Sequence, residues 1–255
     1  MTHSVSHSLI LEINGSRLTL LTQRKDGVVL EIKDYQGVSV ITLQTILGNL
    51  PEIYSNIRCC LRNRDFVVLP EEFYNTDYSE VFGLSYELGI NQQFFLDKLE
   101  FRTGILYSDD AEIHKVLKTK FPRVKIQHEA GLILSKVYKD LGSKGSGVYL
   151  AVNDGSIIII CSKDKKVQLC NQFQAKTVHE IFYFVMLVYE QFHLLPSEDE
   201  LIILGNPSVK TELNELVKQY IRGITYYSED YRCESEVISA LSLKQSFAMQ
   251  LLVCE

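Results

Sequence analysis

Apolar and polar positions alternate most clearly between Val148 and Phe173, where three hydrophobic runs are separated by two turn signals. Val148 to Val152 is the first run. Asn153-Asp154-Gly155 then supplies residues that tolerate positive φ and favour hairpin geometry. Ser156 to Cys161 is rich in Ile, as expected of a strand buried on both faces. Lys163 to Lys166 forms a charged turn, and Val167 to Phe173 alternates as a third strand. The pattern then changes period. Thr177 followed by Glu180 has capping-box spacing and opens a helix to about His193, with Val178, Ile181, Val185 and Val188 on its buried face. Leu201 to Leu204 is a buried strand ending at Gly205-Asn206-Pro207. Ser208 opens a helix to about Arg222, Ile224 to Tyr227 is a short strand, and a last helix covers Glu236 to Val253. The predicted order is β-β-β-α-β-α-β-α.

The first half has the same rhythm. Ser8 to Ile13, Arg17 to Thr22 and Val28 to Lys33 are three strands joined at Asn14-Gly15 and Asp26-Gly27, and Val38 to Leu50 is a helix ended by Pro51. From about 53 to 97 an insertion interrupts the repeat. Within it Ile57 to Leu61 and Phe66 to Leu69 read as a hairpin closed at Asn63-Arg64-Asp65, and Pro70-Glu71-Glu72 opens a helix. Phe73, Tyr74, Tyr78 and Phe82 belong to this aromatic stretch. The pattern resumes with a strand over Leu99 to Tyr107, a helix capped by Ser108, a strand over Val124 to Gln127 and a helix over Glu129 to Leu141. Gly142 to Gly147 is a Gly/Ser linker that leads into a strand, so it lacks the helix entry of a phosphate loop. The expected domains are 1–141, with the insertion, and 148–255.

With 255 residues, 46% of them hydrophobic, the chain can bury a full-sized core. Its formal charge of −6 is evenly spread, which disfavours nucleic acid as a partner. The N-terminal MTHSVSHSLILEI lacks a basic segment followed by a long apolar core, so neither signal peptide nor membrane anchor is expected. The six cysteines show no CxxC and no zinc spacing. Cys161 and Cys170 fall on neighbouring strands and read as buried thiols of a reducing cytoplasm. His128-Glu129 and His179-Glu180 lack the second His of a zincin helix and read as strand-helix junctions with capping roles.

A β-β-β-α-β-α-β-α unit, with a meander and two right-handed crossovers, resembles the ribonuclease-H-like unit. Two in tandem, each a mixed five-stranded α/β sheet, resemble the actin-like ATPase superfamily, nearest its bacterial pilus-assembly and secretion-platform branch. The segments Phe66 to Phe73 and Gln127-His128-Glu129 also look like an uncharacterised bacterial family of this fold. The superfamily resemblance implies Mg-ATP bound between two domains by a carboxylate-Gly-Thr/Ser turn after the first strand of each. Here the first turn reads Glu12-Ile13-Asn14-Gly15-Ser16, with Glu for the usual Asp and one extra residue. The second has Ala151 in the Asp position and Asp154 inside Asn153-Asp154-Gly155-Ser156. Leu204-Gly205-Asn206-Pro207 keeps one glycine of the usual adenosine-binding pair.

Those departures favour a cytoplasmic, non-enzymatic pseudo-ATPase with no cofactor and no metal site, acting by binding another protein. Exposed Phe73, Tyr74, Tyr78 and Phe82 would form the partner surface, because Phe and Tyr are enriched at interfaces. The same aromatics could instead form the insertion's own core, and self-association through the insertion or the Thr177 helix stays open. The alternative is a divergent ATP-binding protein using Glu12, Asp154 and Gly205. A ribonuclease-type site is disfavoured, since Glu12 and Glu180 do not complete the needed carboxylate cluster.

Overall fold

The computed structural model describes residues 7–62, 65–82, 89, 91–140, 145–205, 209–234 and 246–254. The chain divides into two compact units, one of residues 1–131, 231–242 and 251–255, the other of 132–230 and 243–250. The division falls after Gly131, within a helix, ahead of the 142–147 segment that the sequence suggests as a linker. In that segment residues 142–144 lie outside the described part and Gly147 already begins a strand.

Unit 1 begins with the expected meander, β1 (His7–Asn14), β2 (Arg17–Arg24) and β3 (Val28–Tyr35). Helix α1 (Val40–Gly48) follows, with Ser39 accepting a hydrogen bond from the Thr42 N–H. The crossover then returns β4 (Asn56–Arg62) parallel to β1, and β8 (Lys125–His128) adds parallel to β4. A two-residue strand, β14 (Arg232–Cys233), covers part of β3, so the sheet order is β14-β3-β2-β1-β4-β8. The insertion therefore starts later than expected. Ile57 to Arg62 belongs to the main sheet, where the side chains on both its faces are buried, and does not pair with the next strand. The inserted sheet is β5 (Phe66–Pro70), β6 (Gln92–Lys98) and β7 (Thr103–Asp110), with β7 central. Between β5 and β6 lie a 3₁₀ turn (Glu71–Phe73) and a short helix, α2 (Tyr78–Phe82). Because β7 runs on to Asp110, the cap of α3 (Ala111–Lys120) is Asp110 and not Ser108. Helix α4 covers Glu129–Asp140.

Unit 2 repeats the scheme without an insertion. Its sheet, in the order β11-β10-β9-β12-β13, uses β9 (Gly147–Val152), β10 (Ser156–Lys163), β11 (Lys166–Gln174), β12 (Glu200–Leu204) and β13 (Ile224–Tyr227). Helix α5 (Val178–Gln191) carries the Thr177/Glu180 capping box that the spacing predicts. Helix α6 (Lys210–Val217) is shorter than the expected span to Arg222, and its expected cap Ser208 lies outside the described residues. The last helix, α7, is described over Phe247–Cys254, while 236–245 of its expected span lie outside. Ile157, Ile159 and Cys161 face a core built with Val178, Ile181, Val185, Val188, Leu213 and Val217, whereas Ile158 and Ile160 are equally buried on the opposite face. The register sets Cys161 opposite Leu169 and Cys170 opposite Ile160, and all six cysteines are free thiols. No described helix is long and apolar enough to cross a membrane.

Gly147 lies against the parallel strand β12, where a Cβ would stand 2.8 Å from the Glu200 carbonyl oxygen. Gly147→Ala is expected to cost about 1–3 kcal/mol, the usual range for overpacking, read as a lower urea midpoint with an unchanged slope.

Candidate functional site

Glu12, the first-turn carboxylate, sits on β1 with 6% of its surface exposed. The parallel register sets it beside Cys60, and Arg62 lies two residues further along the same face of β4. The Arg62 guanidinium reaches between two carboxylates, with Nη1 3.0 Å from Glu12 Oε1 and Nε 3.3 Å from Glu129 Oε2. All three side chains are at least nine-tenths buried. Burial alone would pull the guanidinium pKa down, but the two carboxylates outweigh it and hold the pKa above its ordinary value. The neighbouring Cys60 thiol is pushed well up by burial and then by Glu12 and Glu129, so it is no thiolate nucleophile. Glu12 thus has a partner that the sequence reading missed, because Arg62 is fifty positions away and reaches it only through the strand register. Beyond Glu12 the chain turns through Asn14, Gly15 and Ser16, with Gly15 at positive φ and Ser16 exposed.

In unit 2 the corresponding turn is a tight hairpin. Asn153 N–H donates to the Ser156 carbonyl at 2.8 Å, and Gly155 adopts φ +79. Asp154 is exposed at the tip, while Ala151 and Ser156 are buried. Gly205 is held by its N–H to the Tyr227 carbonyl at 2.7 Å, and Phe247 covers it. A Cβ on Gly205 would lie 3.2 Å from that of Phe247. Asn206 lies outside the described residues. Among the described residues no cluster of three or more metal-ligating side chains occurs.

The aromatic insertion is divided between surface and core. Phe73 is 48% exposed, whereas Tyr74 and Tyr78 are half-buried. Tyr78 donates its hydroxyl to the Tyr74 carbonyl at 2.6 Å and meets Phe94 edge-on, and Lys98 stands over the Tyr74 ring. The Phe82 side chain lies outside the described part. Deeper in, the Phe95 and His114 rings stack 3.6 Å apart, and His114 Nε2 is 3.2 Å from Asp109. His128 caps α4, its Nδ1 accepting the Ala130 N–H, and its own N–H is bonded to Asp97. Burial pushes the Asp97 carboxyl up to about 6, although the His128 N–H and the Tyr107 hydroxyl oppose it.

The sequence profile described as "Protein of unknown function (DUF3822)" matches residues 39–224. The chain belongs to the DUF3822 family. No curated protein sequence matches this DUF3822 protein. Among solved structures, a Bacteroides thetaiotaomicron protein with actin-like ATPase fold and unknown function is 16% identical, with a TM-score of 0.79, covering 100% of this chain and 98% of that one. The PilM–PilN type IV pilus biogenesis complex contains a chain 10% identical, with a TM-score of 0.55 and 97% coverage of each. The DUF3822 protein thus has the actin-like fold of tandem α/β domains.

Sequence reasoning also overlooked an apolar groove of about 360 Å³ along α5 of the DUF3822 protein, lined by Tyr183, Met186, Leu187, Glu190, Leu194 and Pro196. The reading assigned α5 a mostly buried role, yet Tyr183 is 59% and Leu187 38% exposed, and Leu195 and Tyr220 are more than half exposed. Two outcomes follow from the buried polar groups. Arg62→Met leaves two buried carboxylates without their cation and is expected to cost about 3–5 kcal/mol in urea unfolding. The raised Asp97 pKa means that the folded state holds this proton more tightly than the unfolded one. The resulting stability is complete below the ordinary carboxylate range and is lost as pH rises through about 6. Asp97→Asn, which mimics the protonated side chain, is expected to raise Tm at pH 7.5 and to leave it unchanged near pH 4.

Proposed function

We propose that this protein is a non-enzymatic pseudo-ATPase that uses the actin-like scaffold to bind another protein. The observation that carries the reading is the Arg62 bridge. A carboxylate that holds Mg²⁺ through its waters must be available to the ion, and Glu12 is bound to a buried guanidinium. The other remnants fit Mg-ATP no better. Ala151 offers no carboxylate, Asp154 stands at the exposed tip of a hairpin, and Phe247 packs against Gly205.

The α5 groove is in keeping with a protein partner, since it is lined mainly by apolar side chains and leaves the large residues Tyr183 and Leu187 exposed, and aromatic residues are enriched at interfaces. Glu190 is its charged lining residue, which suits a segment that sets apolar side chains beside a lysine or arginine. The PilM–PilN structure has the same fold in complex with another protein, in keeping with this reading. Phe73 is an exposed anchor on the insertion, while Tyr74 and Tyr78 serve mainly that subdomain's own packing.

Thermal unfolding with and without millimolar Mg-ATP separates this reading from a divergent ATP-binding protein. The expected change in Tm is below about 1 °C. A ligand at 100 times its Kd adds about 2.7 kcal/mol, worth roughly 5–10 °C for a chain of this size. A shift of that size, abolished by Asp154→Ala, would overturn the proposal.

A further inference from the structure

The parallel pairing of β1, β4 and β8 gives the unit 1 sheet two chemically different ends. At the carboxyl ends stand Asn14, Arg62 and His128, with the first turn and the buried ion network. At the amino ends, a strand length away, the loop before β4 and the segment that joins α3 to β8 enclose a recess of about 480 Å³. That size falls in the usual range of ligand sites, roughly 300–1,000 Å³. Ile53, Tyr54, Phe121 and Pro122 form its apolar walls, and Lys120 and Arg123 stand among them.

The walls are built in advance of any ligand. Ser55 ties the loop to the head of β1, its N–H and its hydroxyl both donating to the His7 carbonyl at 2.7 and 3.0 Å. Tyr54 meets the buried Phe121 ring edge-on with 6.1 Å between centroids, so one aromatic wall joins the two segments. Ile53 beside it is 91% exposed. The charges are less well matched. Residues 118–125 contain Lys118, Lys120, Arg123 and Lys125 and no acidic residue, in a chain whose formal charge is −6. Lys118 and Lys120 close the last turn of α3, where the helix dipole favours cations, but Arg123 and Lys125 lie past the turn in which that effect acts. Lys120 lies 5.9 Å from the centre of the Phe121 ring. Among the described residues neither Lys120 nor Arg123 forms an ion pair, although Glu52 lines the same recess.

We propose that this recess binds a short acidic segment of another protein, which seats an apolar side chain against Ile53, Tyr54 and Phe121 and sets its carboxylates beside Lys120 and Arg123. Two unpaired cations against one carboxylate leave a local positive excess, and that excess selects an acidic partner. The apolar walls add burial that a bare counterion would not use. A concave site suits an inserted side chain, whereas a bilayer takes up a broad apolar face. Walls fixed before binding keep the ordering cost low. The site belongs to unit 1 and depends neither on the α5 groove nor on the nucleotide turns, so its failure leaves the proposed function untouched.

A phage-displayed library of random short peptides, selected on the full chain after depletion on the double variant Ile53→Ser, Arg123→Glu, tests the site. The surviving peptides are expected to carry Asp or Glu close to an aromatic or aliphatic residue. One of them, synthesised with a fluorescent label, is expected to lose at least about 10-fold in affinity, ~1.4 kcal/mol, with Arg123→Glu alone and to bind more weakly as salt rises. Ile53→Ser alone is expected to weaken it about 10-fold through lost apolar burial. Both positions are exposed, so each variant is expected to keep the wild-type Tm. A library that yields no peptide after depletion overturns the proposal, as do surviving peptides without acidic residues or binding that salt leaves unchanged. Binding of phosphatidylserine vesicles that Arg123→Glu abolishes, with no peptide selected, would assign the patch to a membrane surface and would also overturn it.

Discussion

Three side chains brought together from distant parts of unit 1, Glu12, Arg62 and Glu129, fix both the geometry of its sheet and the chemistry of its first turn. Their burial imposes a constraint. Ions withdrawn from water are stable only when each charge is matched closely, so strand β1, strand β4 and the start of α4 must arrive together. A one-residue slip of β4 against β1 would turn Arg62 to the opposite face and leave the carboxylates unmatched. Glu129 also sits in the first turn of α4, where the helix dipole favours a negative charge. A position that could present a carboxylate to a metal is thereby committed to the fold.

The two units show how one scheme is adapted twice. Unit 1 places a three-stranded aromatic sheet between β4 and α3 and protects its meander edge with charges and β14. Unit 2 keeps the shorter form, with an Ile-rich central strand buried on both faces, an outer strand whose one charge is Lys166 at its start and a helix that leaves Tyr183 and Leu187 at the surface. The features that support the proposed binding role therefore belong mainly to unit 2 and not to the insertion whose aromatic content draws attention in the sequence.

Local patterns in the sequence were sufficient for both meanders, for the Thr177 capping box and for the order of elements in unit 2, because turns at Asn-Gly and Asp-Gly and the change of period from strand to helix are encoded within a few residues. The sheet to which Ile57 to Arg62 belongs was not legible. A short apolar run followed by another suggests a hairpin, and only tertiary pairing places the first between β1 and β8. The Glu12 partner was hidden for the same reason, since an arginine in a strand gives no sign of the carboxylates it will meet. The exposure of Tyr183 and Leu187 was missed because a helix hydrophobic on most faces reads as buried throughout.

A double-mutant cycle between Glu12 and Arg62, built from Glu12→Gln, Arg62→Met and the double variant in urea unfolding, tests most directly whether this pair is part of the framework. Contacting residues in one ion network couple by about 0.5–3 kcal/mol. The account predicts a coupling energy in the upper part of that range, with the double variant more stable than the sum of the single losses implies. Additivity within about 0.3–0.5 kcal/mol would mean that the pair contributes no interaction of its own, and would return Glu12 to the set of residues available for a ligand.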